Sequence, residues 1–181
     1  MESWWDEVEA SDLMQGDFLK NTFVPIPTVK VTKKGALSKS AFGFYTQKVA
    51  EYDVVILTQS CDLENNKVPN ILVSPIYNLS GFQDTNLEYK SSRLLEEIRR
   101  GGNHGLHMLS SHLEPANQQK VFIVDFKEVY TLPKTYIEIH IKNIGKRLRL
   151  KDVYREKLSK AFGDFFSRVA IEHNIPAWKN K

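Results

Sequence analysis

The chain has 181 residues, with 25 Lys and Arg against 22 Asp and Glu, 41% hydrophobic and 11% aromatic. This is enough apolar material for one packed domain and excludes a wholly disordered chain, while the single cysteine excludes a disulfide scaffold and a zinc site built on several thiolates. No window approaches the roughly 18 apolar residues of a bilayer span, the N-terminus MESWWDEVEASD is acidic where a secretory signal is basic and then apolar, and a net charge of +3 does not by itself imply nucleic-acid binding; the expectation is a cytoplasmic protein, off the membrane.

In chain order, Ser3-Trp4-Trp5-Asp6 reads as a helix start, with Ser3 as N-cap and the helix running to about Leu13. Gly16-Asp17 then turns the chain into Phe18-Leu19. Residues 23–31 are extended, with Pro25 and Pro27 keeping them out of a central strand. Residues 33–40, KKGALSKS, form a basic loop. Residues 53–58, DVVILT, are a continuous apolar run that ends abruptly in polar residues, as a strand buried on both faces does. Asn70 to Ile76 is its expected antiparallel partner across the loop Gln59 to Pro69. Ser91 to Arg100 predicts a short helix closed by Gly101-Gly102. Asn103 to Gln119 reads as irregular and holds three histidines. Val121 to Val129 and Tyr136 to Ile141 read as strands, the second from its strict alternation. Residues 151–174 predict an amphipathic helix with Asp152 as N-cap, ended by Pro176. The sum is α+β: a small, strongly bent barrel or sheet with helical additions.

Charge is distributed unevenly. Residues 1–17 carry six acids and no bases, whereas residues 134–160 carry nine Lys or Arg against Glu138, Asp152 and Glu156. In a strand, Arg147 and Arg149 share one face and Leu148 and Leu150 the other, which spaces two guanidiniums about 6–7 Å apart, near the spacing of successive phosphates. Lys146 and Arg155 extend the basic segment. Its other reading is a set of ion pairs with the acidic N-terminus.

Gln59-Ser60-Cys61-Asp62 stands where the buried strand emerges. It reads either as a catalytic or phosphate-gripping loop or as a turn closed by its own side chains. Cys61 with His104 or His107 has the composition of a thiolate–imidazole pair, without a signal that brings them together. His104, His107 and His112 lie in a Gly-rich stretch with no carboxylate at ligand spacing, so no metal or other cofactor is expected; a histidine there has the titration range of a general base. Trp4, Trp5 and Trp178 read as base-stacking or partner-anchoring groups, or as a packed hold-down for the N-terminal helix.

Three stretches carry a resemblance: Gly16-Asp17-Phe18-Leu19; DVVILTQSCDLENN with NILVSPI (residues 53–66 and 70–76); and KRLRLKDVYREKLSKAFGDFFSRV (residues 146–169). Their order resembles the MazF/PemK-like toxin family. The resemblance implies one domain over 1–181, an SH3-like β-barrel closed by the C-terminal helix at 151–174. Residues 1–14 form a helical extension and 78–118 an insertion without counterpart in the minimal fold. It also implies a homodimeric, metal-independent endoribonuclease acting on single-stranded RNA, held by an antitoxin, in bacterial stress response or phage defence. The family pairs an arginine before the buried strand with a threonine or serine after the Pro-Ile step; Tyr52 or Asp53, and Tyr77, stand at those places here. A metal-free ribonuclease needs a base for the 2′-hydroxyl and a cation for the charged phosphorane, and a phenol titrating near about 10 is a weak base. The candidate catalytic residues are therefore Asp62, Cys61, His107 and Tyr77, and the candidate RNA contacts Gln59, Lys146, Arg147, Arg149 and Arg155. The competing reading is a regulatory module of the same fold whose chemistry has lapsed and whose surface binds a protein partner.

Overall fold

A computed structural model describes residues 3–9, 11–28, 46–110 and 121–167. The basic loop at 33–40, His112, Trp178 and residues 168–174 of the expected C-terminal helix lie outside these residues, the helix itself ending at Phe166. The described chain is α+β. Its strands are β1 (Trp5–Val8), β2 (Asp17–Thr28), β3 (Thr46–Ile56), β4 (Asn70–Asn78), β5 (Leu106–Ser110), β6 (Val121–Asp125), β7 (Tyr130–Pro133) and β8 (Arg147–Leu150). Its α-helices are α1 (Ser60–Glu64), α2 (Leu79–Thr85), α3 (Ser92–Arg99), α4 (Lys134–Ile144) and α5 (Asp152–Phe166).

All eight strands join one antiparallel sheet in the order β1-β8-β2-β3-β4-β6-β5, with β7 also on β4. β3 and β4 are its centre, in the register Val54↔Pro75, Val55↔Ser74, Ile56↔Val73. Val54 and Ile56 belong to one core with Leu19, Ile71 and Leu132. Val55 and Leu57 belong to a second core with Trp5, Phe18, Phe126 and Leu150. Both faces of β3 are thus covered, which is why its sequence is apolar without alternation. Helix α4 closes the first core through Ile137 and Ile141, and α5 closes the second through Leu158.

Each proline in the sheet sits where no ladder hydrogen bond is needed. β2 pairs with β8 only at Asp17 and Phe18, so Pro25 and Pro27 fall in its edge half, where β3 is the one strand partner. A bulge between Leu19 and Thr22, with Asn21 at φ 51°, bends β2 at the point where β8 leaves it. Pro75 lies between the two ladders on the outer side of β4, β7 pairing residues 70–73 and β6 pairing 76–78. The Ser74 hydroxyl bridges this gap by donating to the Asp125 carbonyl at 2.7 Å. The sheet curls until its ends approach: the Trp5 indole of β1 donates to the Ser110 carbonyl of β5 at 2.7 Å, and its ring meets Phe122 at 6.0 Å.

Five expectations are corrected. The N-terminus is strand, not helix: β1 pairs with β8 from Trp5↔Leu150 to Val8↔Arg147, and the Ser3 hydroxyl accepts from Trp5 N–H without starting a helix. Burial of Trp5 against the sheet outweighs the local cap signal. Residues 136–141 are helix, not strand. Ile137 and Ile141, one turn apart, are buried while Ile139 is 60% exposed, so a six-residue alternation concealed an i, i+4 pair. The histidine stretch is not irregular throughout, because Leu106–Ser110 forms β5 on β6. β6 ends at Asp125, short of Val129. At the start of α5 the cap position is Lys151, with Asp152 inside the first turn.

Candidate functional site

The basic strand β8 meets the N-terminal acids. Gly16, at φ 82°, packs so closely on Leu150 that a Cβ there would stand 3.0 Å from the Leu150 Cβ. That turn delivers Asp17, fully buried, beneath β8. The Asp17 carboxylate accepts from Arg147 Nε at 2.9 Å, from Arg149 Nε at 2.5 Å and Nη2 at 2.9 Å, and from Met14 N–H at 3.2 Å. Arg147 Nη2 also donates to the Asp12 carbonyl, and Arg149 Nη1 donates to the Asp12 carboxylate at 2.8 Å. The Arg147 side chain is 1% exposed and that of Arg149 12%. Burial opposes ionisation of Asp12, but its hydrogen bond to Arg149 and the two guanidinium charges hold its carboxyl below the ordinary range. The other two basic candidates are paired as well, Lys146 with Glu7 at 2.8 Å and Arg155 with Asp152 at 2.9 Å.

The 59–62 loop is occupied by its own structure. Gln59 caps α1, Asp62 N–H donates to the Gln59 carbonyl at 3.1 Å, and Lys67 N–H returns to the Asp62 carbonyl at 3.0 Å. The Asp62 carboxylate faces Lys67 at 3.6 Å. Ser60 accepts from Gln15 N–H at 3.1 Å, tying the loop to the N-terminal turn. Cys61 is exposed, its Sγ near the Gln59 and Asp62 oxygens at 3.7 and 3.8 Å. Beside it a cavity of about 330 Å³ opens between Asp12, Ser60, Glu64, Lys134 and Glu138. Lys134, which the sequence reading passed over, spans it by donating to the Leu63 carbonyl at 2.7 Å and to Asn66 Oδ1 at 2.5 Å.

Tyr77 and Tyr130 converge on one carboxylate, their hydroxyls 3.5 and 3.3 Å from Glu128 Oε2. Burial and the Glu128 charge push the Tyr77 phenol well above its ordinary range. It is a hydrogen-bond donor at neutral pH, not a base.

His107, on β5, lies in a different setting. Its ring stacks on Phe126 at 6.1 Å, and its Nε2 is buried with no hydrogen-bond partner among the described residues. Burial, with the charge of Lys157 added, lowers its pKa to about 4, so the imidazole is neutral at physiological pH. His107 and the exposed His104 line one cavity of about 370 Å³ between α3, β5 and α5. Arg99, Arg100, Lys157 and Lys160 line it too.

The structure therefore brings His104 and His107 together. It gives Asp62, His107 and Arg149 no partner in common: Asp62 faces Lys67, His107 lies by Lys157, and Arg149 is held by Asp12 and Asp17. Among the described residues no group of three or more His, Cys, Asp or Glu has the arrangement of a metal site. Of the four cations around the histidines, Lys157 and Lys160 were counted in the basic segment 134–160 without being placed at a site, and Arg99 and Arg100 were missed in sequence. Their signals were Arg99-Arg100 directly before Gly101-Gly102, and Lys157 and Lys160 three apart on the polar face of α5. No protein-family model matches this chain, and no curated protein matches it significantly.

Proposed function

We propose that this chain is a catalytically lapsed regulatory module of the MazF/PemK-like kind, built on a small SH3-like barrel and acting by binding a protein partner. The observation that carries this reading is the occupation of the β8 arginines: residues 11–17 lie against the face where RNA would bind, and Asp12 and Asp17 take up both guanidiniums. A phosphate arriving there would have to displace a buried carboxylate. The approach of β1 to β5 through Trp5 and Ser110 supports the barrel. An exposed apolar face on the β2–β3 arm supports a protein partner: Phe23 is 54% and Val49 64% exposed, and the register places both on one side with Pro25.

A second reading, an RNA-directed endoribonuclease with a non-standard site, draws support from the two histidines and four cations around the α3–α5 cavity. Incubation of purified protein with single-stranded RNA separates the two. The lapsed module leaves the RNA intact at every salt concentration. Cleavage abolished by Asp62→Ala or His107→Ala would overturn it.

A further inference from the structure

The cavity between α3, β5 and α5 has two chemically distinct parts. Its floor is apolar, from Ile98, Leu106, Met108 and Ala161, with Ile98 and Leu106 each 2% exposed. Its rim is cationic, from Arg99, Arg100, Lys157 and Lys160. The acids nearby do not balance this rim. Glu96 binds both arginines, at 2.6 Å each, and Asp164 binds Lys160 at 2.7 Å. Lys157 has no carboxylate partner among the described residues; its Nζ stands 5.3 Å from the centre of the Tyr154 ring, and its charge is felt by His107. The imidazole adds a polar nitrogen without a partner at the same wall.

An apolar floor under a cationic rim is the chemistry of an amphipathic anion, and about 370 Å³ is the size of a small-ligand cleft. We propose that this cavity binds an organic phosphate of mononucleotide size, its phosphate on Lys157, Lys160 and the Arg99–Arg100 pair and its less polar part over Leu106, Met108 and Ala161. The arginine guanidiniums supply directional donors and the lysines mobile charge. The site is assembled from residues 98–108 and α5, so it is separate from the occupied arginine face of β8 and goes beyond the reading proposed above.

The test is titration of the full chain with uridine 5′-monophosphate, inorganic phosphate and uridine, followed by NMR of the Met108 methyl and the His107 ring and by calorimetry. Uridine 5′-monophosphate is expected to shift both signals and to bind more tightly than either fragment. The exposed-face double variant Lys157→Gln/Lys160→Gln is expected to weaken it about tenfold, the loss of about one charge-assisted contact. Lys48→Gln, on the distant β3, is expected to leave it unchanged. Absence of binding, equal affinity for inorganic phosphate and the mononucleotide, or an unaltered affinity in the double variant would each overturn the assignment.

Discussion

Two groups of basic side chains, one on β8 and one around the α3–α5 cavity, put the same residue types to opposite uses. On β8, Arg147 and Arg149 are withdrawn from water and shared between Asp17 and Asp12. Around the cavity, Arg99, Arg100 and Lys160 stay largely in solvent, with side chains 61%, 72% and 76% exposed. A buried arginine needs its carboxylate in order to fold, so its charge is already committed. An exposed one holds its carboxylate weakly and can exchange it for a ligand. The contrast shows that a basic run marks where charge is, whereas the depth of its acidic partner decides whether that charge is available.

The contrast is tested most severely at Asp17. Asp17→Ala leaves Arg147 buried and uncompensated, and is expected to destabilise the fold by about 3–5 kcal/mol, read as a lower urea midpoint. If stability is unchanged, the β8 network is not the structural element described above.

The cavity side is tested by pH. The His107 pKa is lowered to about 4 in the folded state against about 6.5 unfolded, so the unfolded chain binds the extra proton first. The stability His107 contributes is complete above pH 6.5 and is lost as pH falls toward 4. Between pH 7.5 and pH 5 that loss is about 2 kcal/mol. His107→Phe should flatten this part of the urea-midpoint profile, and an unchanged slope would place the imidazole in water.

A smaller effect is expected at Asp12, whose side chain is 56% exposed. Asp12→Ala should cost about 1 kcal/mol or less, because Arg149 keeps Asp17. A loss as large as that of Asp17→Ala would mean that the two acids act as one unit, which a double-mutant cycle would show directly. The smallest change in stability belongs to Glu96→Gln. Glu96 is partly exposed, and the two arginine partners hold its carboxyl at about 2. Removing its charge is expected to leave the thermal midpoint in place while tightening uridine 5′-monophosphate binding by freeing Arg99 and Arg100. Weaker binding would indicate that Glu96 positions the arginines instead of competing for them.

Much of the sheet was legible in the residues. Residues 53–56 and 70–76 lie on adjacent antiparallel strands, as an apolar run covered on both faces suggested, although β3 begins at Thr46 and ends at Ile56, short of Thr58. The α3 helix stops at Gly101, φ 75°, where a side chain would be strained. α5 shows its apolar stripe through Leu158, Ala161, Phe162 and Phe165. The histidine cluster was also visible, since His104 and His107 are close in sequence. Its cationic surroundings were not, because Arg99 and Lys157 come from helices far apart along the chain and meet only across the folded cavity.

By itself, then, the sequence determined the α+β class, the central strand pair and the helix at its C-terminal side, since these follow from local periodicity and from where glycine and proline permit a turn. Tertiary structure alone decided that Trp5–Val8 is a strand, that Ile137 and Ile141 lie on a helix, and that Arg147 faces Asp17 while Lys157 faces a cavity. Each of these depends on what a distant segment buries. Desolvating an indole or a guanidinium involves more free energy than a cap or a six-residue alternation contributes, and the chain settles where those groups are satisfied.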